Sequence, residues 1–78
     1  MQSNQLKSLL EAEFPGARVE VSSPDDVHFQ ALVVTEAFAG KPPLARHRMV
    51  YAVLGERMGG DVHALSLRTL TPSEAGNV

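Results

Sequence analysis

Apolar residues in the first fifteen positions recur at helical spacing. Leu6, Leu9, Leu10 and Phe14 share one face of residues 3–14, and a repeat of three and four residues forms a single stripe on an α-helix. Ser3 or Asn4 can cap its start, and Pro15-Gly16 ends it. The period then falls to two. In "ARVEV" (17–21) Val19 and Val21 face one way and Arg18 and Glu20 the other, the mark of a half-buried strand. "SSPDD" (22–26) is a turn by its chemistry, since proline presets φ and Ser and Asp bond the local backbone. "VHFQALVVT" (27–35) is a second strand, antiparallel to the first.

A connector, "EAFAGKPPLARH" (36–47), turns into a helix whose first turn accommodates Pro42 and Pro43. Leu44, His47, Val50, Tyr51, Leu54 and Met58 form its predicted inner stripe, with Arg46 and Arg48 outside, and Gly59-Gly60 stops it. "DVHALSLRTL" (61–70) is a third strand. Thr71-Pro72-Ser73-Glu74 has the form of a capping box, which predicts a last turn of helix. Helix–strand–strand–helix–strand is the order of a two-layer α/β sandwich, with helices on one face of a three-stranded sheet. The helical connection between strands two and three suits a parallel crossover.

Seventy-eight residues make a single domain, 1–78. A chain of this size buries only about 60% of its unfolded surface, so it is marginally stable. It has no cysteine and hence no disulfide; small secreted domains usually carry some, so a reducing cytoplasm is the expected setting. The sequence holds no candidate membrane span or signal peptide. The net charge of −2 is unevenly spread: residues 40–58 carry Lys41, Arg46, Arg48 and Arg57 against Glu56, a balance of +3, and the remainder sums to −5. This patch can serve as a solvated helix face, or as a nucleic-acid contact through Lys41, Arg46 and Arg48.

The candidate chemistry lies in the histidines. If strands two and three are parallel neighbours, His28 and His63 start adjacent strands at one sheet edge, about 4.8 Å apart by strand spacing. Two imidazoles there can meet a common metal. Side-chain alternation opposes this, because His63 shares a face with Leu65 and Leu67 while His28 opposes Phe29, Ala31 and Val33. Three histidines without a cysteine do not make a self-contained structural zinc site, so a bound metal would take most ligands from a partner. The simpler reading gives each ring a backbone carbonyl and no ligand. Asp25-Asp26 reads as turn residues. No nucleophile elbow, Walker pattern or Rossmann glycine pattern occurs, and a non-enzyme is expected.

The later motifs carry a resemblance. Phe38-x-Gly40, Arg46-His47-Arg48-x-Val50-Tyr51, Val62-His63-Ala64-Leu65-Ser66-Leu67 and Thr71-Pro72-x-Glu74, preceded by "VHFQALVV" (27–34), together resemble the BolA family in order and spacing over nearly the whole chain. The short turn of the first hairpin is most similar to the IbaG-like branch. The resemblance implies an α+β fold like the class II KH domain, αββααβ, with a mixed sheet. It implies pairing with a monothiol glutaredoxin across a bridging 2Fe–2S cluster, with cysteine and a glutathione thiol from the partner and His63 from this chain. Many members add a His or Cys from the hairpin loop; none lies between Val21 and Val27 here, and His28 is the nearest imidazole. On this reading the isolated chain is a monomer without a cofactor and forms a heterodimer with the glutaredoxin. Some members are described as DNA-binding regulators acting through the region of the "RHR" helix. Two departures stand out. Ala75 occupies a position that is often tryptophan, and "AGKPPLAR" lacks the Gly-x-x-Gly loop with which KH domains clamp nucleotides.

Overall fold

The computed structural model describes residues 2–55 and 64–76. Helix α1 (Ser3–Glu13) buries Leu6 and Leu10 completely and leaves Leu9 half-buried. Its N-cap is Gln2, one position before Ser3 and two before Asn4, the expected caps. The Gln5 side chain accepts a hydrogen bond from the Gln2 N–H at 2.7 Å, so an amide replaces the hydroxyl or Asn side chain as capping group. The chain then reverses through Phe14–Ala17, where the Ala17 N–H donates to the Phe14 carbonyl and Gly16 takes φ 81°. A proline followed by a left-handed glycine is the pair a type II turn demands.

Strand β1 (Arg18–Ser22) and strand β2 (His28–Val34) form the expected antiparallel hairpin, with Val19 opposite Val33 and Val21 opposite Ala31. After β2 comes a 3₁₀ turn (Glu36–Phe38), the short middle helix of the αββααβ order. Helix α2 (Pro43–Leu54) follows, with Pro43 in its first turn, and ends at Gly55, which adopts φ 52°. The sequence predicts continuation to residue 58 and a stop at Gly59-Gly60. Gly55 caps the helix after Leu54, and residues 56–60, including Met58 and the expected Gly59-Gly60 stop, lie outside the described residues. Strand β3 (Ala64–Leu70) pairs with β2 in parallel, Phe29 opposite Leu65 and Ala31 opposite Leu67, giving the sheet order β1-β2-β3. Helix α3 (Pro72–Gly76) closes the described chain.

Phe29, Ala31 and Val33 of β2 and Val19 of β1 point toward α1 and α2, where Leu6, Leu10, Phe14, Phe38, Val50 and Leu54 complete the core. The Phe14 and Phe38 rings meet at 5.6 Å with planes tilted by 59°, a favourable aromatic arrangement. Burying each of these side chains contributes about 1.5–3 kcal/mol.

The inner stripe of α2 differs from the prediction. Leu44 is 62% exposed and Tyr51 37% exposed, whereas Arg46, Val50 and Leu54, spaced by four, are buried. Arg46 therefore faces inward. A cation can do so here because its hydrogen-bonding groups find partners, described below. Among the described residues no helix is long and apolar enough to cross a membrane.

Candidate metal-ligand site

The turn joining β1 to β2 is built on two side chains. The Ser23 hydroxyl donates to the His28 carbonyl and accepts from the Asp26 N–H at 2.9 Å. Asp25 Oδ1 accepts from the backbone N–H groups of Val27 at 3.0 Å and His28 at 2.8 Å. Asp26 pays with a left-handed backbone, φ 60°, which aspartate tolerates better than most residues. The expectation that Asp25-Asp26 are turn residues is met, but Asp25 does more. Its second oxygen, Oδ2, lies 2.7 Å from His28 Nδ1. The His28 N–H, the imidazole and the Val27 N–H, in that order, hold the Asp25 carboxyl well below the usual carboxylate range.

His28 opens β2 on the sheet face opposite the core, and its side chain is 63% exposed. An ionised carboxylate only accepts hydrogen bonds. In a neutral ring, then, Nδ1 carries the proton and Nε2 bears the lone pair. A carboxylate on one imidazole nitrogen with the other nitrogen available is the outer-shell arrangement found behind metal-bound histidines. In the β2–β3 ladder His28 is level with Ala64. His63 precedes Ala64 in sequence and lies outside the described residues.

Among the described residues no group of three or more His, Cys, Asp or Glu side chains could hold a metal ion. The donor that this strand edge offers is the His28 imidazole, with Asp25 behind its Nδ1. Across the middle of the sheet runs an open hollow of about 540 Å³, with Glu20, Ser22, Gln30, Leu32, Ser66 and Arg68 on its walls. It contains no imidazole.

The basic patch is smaller than the sequence suggests. Lys41 and Arg48 are exposed, His47 is half-buried and Arg46 is only 9% exposed. Arg46 is thus corrected from a surface cation to an internal one. Its Nε donates to the Lys41 carbonyl at 2.7 Å and its guanidinium to the Thr69 carbonyl at 3.3 Å. The two terminal nitrogens meet Glu74 Oε1 at 2.6 Å and Oε2 at 3.3 Å. The guanidinium carbon also lies 5.9 Å from the Phe38 ring centre, within cation–π range. Glu74 in turn accepts from the Thr71 N–H at 2.8 Å, and the Thr71 hydroxyl accepts from the Glu74 N–H at 3.2 Å, so the expected capping box forms. The Arg46 side chain, followed by the Thr71 N–H, pulls the Glu74 carboxyl down to about 2.

The sequence reading missed two side-chain links, one local and one long-range. The Asp25–His28 contact had a local signal in Ser-Pro-Asp-Asp-x-His, an acceptor three residues before a ring at a strand start. The Arg46–Glu74 contact spans 28 positions and had no local signal.

The same fold recurs in known proteins. A structure of a bolA protein homologue from Coxiella burnetii superposes with a TM-score of 0.84 at 39% identity, covering 97% of both chains. The DNA-binding transcriptional regulator BolA of Escherichia coli (strain K12) is 40% identical over 57 residues, 73% of this chain and 54% of that protein. Human BolA-like protein 1 is 47% identical over 49 residues, 63% of this chain and 36% of that protein. The chain spans little more than a third of the mammalian relatives it matches. Residues 7–74 match the family described as BolA-like protein, and with the hairpin, parallel crossover and capped C-terminal turn all in place, the chain belongs to that family.

Proposed function

We propose that this chain is an adaptor that pairs with a monothiol glutaredoxin and shares a bridging 2Fe–2S cluster with it, in iron–sulfur cluster trafficking or iron regulation. The observation that carries the reading is the parallel ladder, in which His28 stands opposite Ala64, the residue that follows His63. Membership of the BolA-like family supports it. His63 is assigned as the first nitrogen ligand and His28 as the second; cysteine and a glutathione thiol come from the partner. Histidine in place of cysteine raises the reduction potential of such a cluster.

This chain's own residues bind and orient; none is assigned a catalytic role. Alone it is a monomer without a cofactor. A cysteine-free chain working beside a glutathione-bearing partner belongs in the reducing cytoplasm. The test is anaerobic reconstitution with a monothiol glutaredoxin, glutathione, ferrous iron and sulfide, followed by visible circular dichroism. His63→Ala is expected to abolish or strongly alter the spectrum of the mixed complex. An unchanged spectrum in that variant overturns the assignment.

A second reading, a nucleic-acid-binding regulator, is favoured by the name of the Escherichia coli relative and by the exposed Lys41 and Arg48. With Arg46 turned inward, two cations of the original three remain to contact phosphates. Binding of this kind weakens steeply with salt. A gel shift at near-physiological salt, retained by the wild type and lost in the Lys41→Ala/Arg48→Ala double variant, is the expected result. Equal retention by both proteins disposes of it.

A further inference from the structure

We propose that Asp25 is a positioning residue that holds the His28 ring as its Nδ1–H tautomer and presents Nε2 outward as a metal ligand. This rests on the adaptor reading for the identity of the metal, and on the turn geometry for everything else.

Asp25 uses its two oxygens for different tasks. Oδ1 takes the backbone N–H groups of Val27 and His28 and closes the turn. A carboxylate serving only the turn would need no more. Oδ2 instead meets Nδ1 of His28 at 2.7 Å, a charge-assisted length. Because Oδ1 is pinned by two main-chain donors, the carboxylate plane is fixed and Oδ2 has little freedom to leave the ring. The Ser23 hydroxyl, bonded to the His28 carbonyl and the Asp26 N–H, braces the same residues from the other side. The ring is thereby held at Nδ1 while its side chain remains 63% exposed.

This arrangement selects the less common tautomer. A free neutral imidazole in water favours the proton on Nε2, which leaves Nδ1, close to the backbone, as the basic atom. The Asp25 carboxylate reverses that preference because it can only accept. The lone pair is then on Nε2, the ring nitrogen farther from the backbone and able to reach an iron held by another molecule. Loss of an outer-shell partner of this kind typically costs roughly 10–100-fold in metal affinity.

Asp25→Asn isolates the effect. Its amide oxygen still accepts the two backbone N–H groups, while its NH₂ replaces Oδ2 and donates to Nδ1. Long-range proton–nitrogen NMR of the apo chain, at a pH where the ring is neutral, reads the tautomer directly. In the wild type the pyrrole-type nitrogen is expected to be Nδ1 and the pyridine-type nitrogen Nε2; in Asp25→Asn the two exchange. The backbone amide resonances of Val27 and His28 report whether the turn survives. Should they move, Asp25→Ser, which lacks reach to the ring, provides the second comparison. Averaged tautomers in the wild type, or no exchange in either variant, overturn the positioning role.

The ligand role is read in the glutaredoxin complex. Asp25→Asn is expected to change the visible circular dichroism and to lower cluster retention against a chelator by about tenfold or more, whereas Asp26→Asn leaves both unchanged. An Asp25→Asn complex identical to wild type overturns the ligand role. If the wild type forms no complex at all, the adaptor reading falls and takes the ligand role with it, while the apo NMR result still decides what Asp25 does to the ring.

Discussion

Arg46 and Glu74 form a forked ion pair across 28 positions, with the guanidinium 2.6 Å from the nearer carboxylate oxygen. Arg46 is almost fully enclosed, and Glu74 is simultaneously the acceptor of the Thr71 capping box. One side chain thus connects the segment after the 3₁₀ turn, the first turn of α2, the end of β3 and α3. No buried side-chain nitrogen or oxygen among the described residues lacks a partner; the carbonyls of Lys41 and Thr69 and the Glu74 carboxylate are the reason an arginine can sit here.

Removing it should therefore be costly. Arg46→Met keeps the apolar stem but strands the Thr69 carbonyl, which belongs to a buried residue. Hydrogen bonds from charged donors are worth about 1.5–3 kcal/mol each. Urea denaturation should show a loss of about 2 kcal/mol or more. A change within about 0.5 kcal/mol, the range of ordinary surface substitutions, would show that Arg46 is held without contributing.

Glu74 gives stability a defined acid limit. Its carboxyl is lowered from 4.5 to about 2 in the folded chain. The folded state favours the ionised form, so the stabilising contribution is complete above 4.5 and disappears as pH falls through about 2. The difference in urea midpoint between wild type and Glu74→Gln should be constant from pH 7 to about 5 and shrink steadily below that. A difference independent of pH would mean that Glu74 acts by shape, not charge.

Phe38 is fully buried, meets Phe14 at a tilted angle and lies beneath the Arg46 guanidinium. Phe38→Ala should cost about 3–5 kcal/mol. Domains of this size have about 4–12 kcal/mol in total, so the variant should lose a large share of its stability and melt well below the wild type by circular dichroism. A native spectrum with an unshifted melting point would contradict this account of the core.

Asp26 holds φ 60° with an exposed side chain. A β-branched residue is poorly tolerated there, and Asp26→Val should lose about 1–2 kcal/mol, while Asp26→Asn should be nearly neutral. Equal melting temperatures for the two variants would show that the turn relaxes out of the left-handed region.

How far the sequence could be read depended on the range of each interaction. The hairpin and crossover were legible because Val19, Val21, Phe29, Ala31 and Val33 alternate strictly, and alternation fixes a strand's faces. The capping box at Thr71 and Glu74 was legible because its donors and acceptors lie within four residues. Helix α2 was misread by a small rotation: Leu44 and Tyr51 look internal by composition, and Arg46 external by charge. Only the fold reveals that two carbonyls and a distant carboxylate await that guanidinium. His28 was placed correctly at a strand start, and the spacing of Asp25 three residues before it hinted at the partner, but the contact also depends on the left-handed backbone of Asp26. His63, where the family resemblance puts the main ligand, lies outside the described residues.

The middle position of β2 has one more consequence. With β1 on one side and β3 on the other, either outer strand can peel away and leave β2 still laddered to its remaining neighbour. Peeling of one outer strand frees only the β2 amides that donate to it, so β2 loses all of its protection only when the molecule comes apart as a whole. His28 begins that strand two residues before the stretch paired on both sides, so a partner pulling on the ring pulls on the chain that leads directly into the central strand.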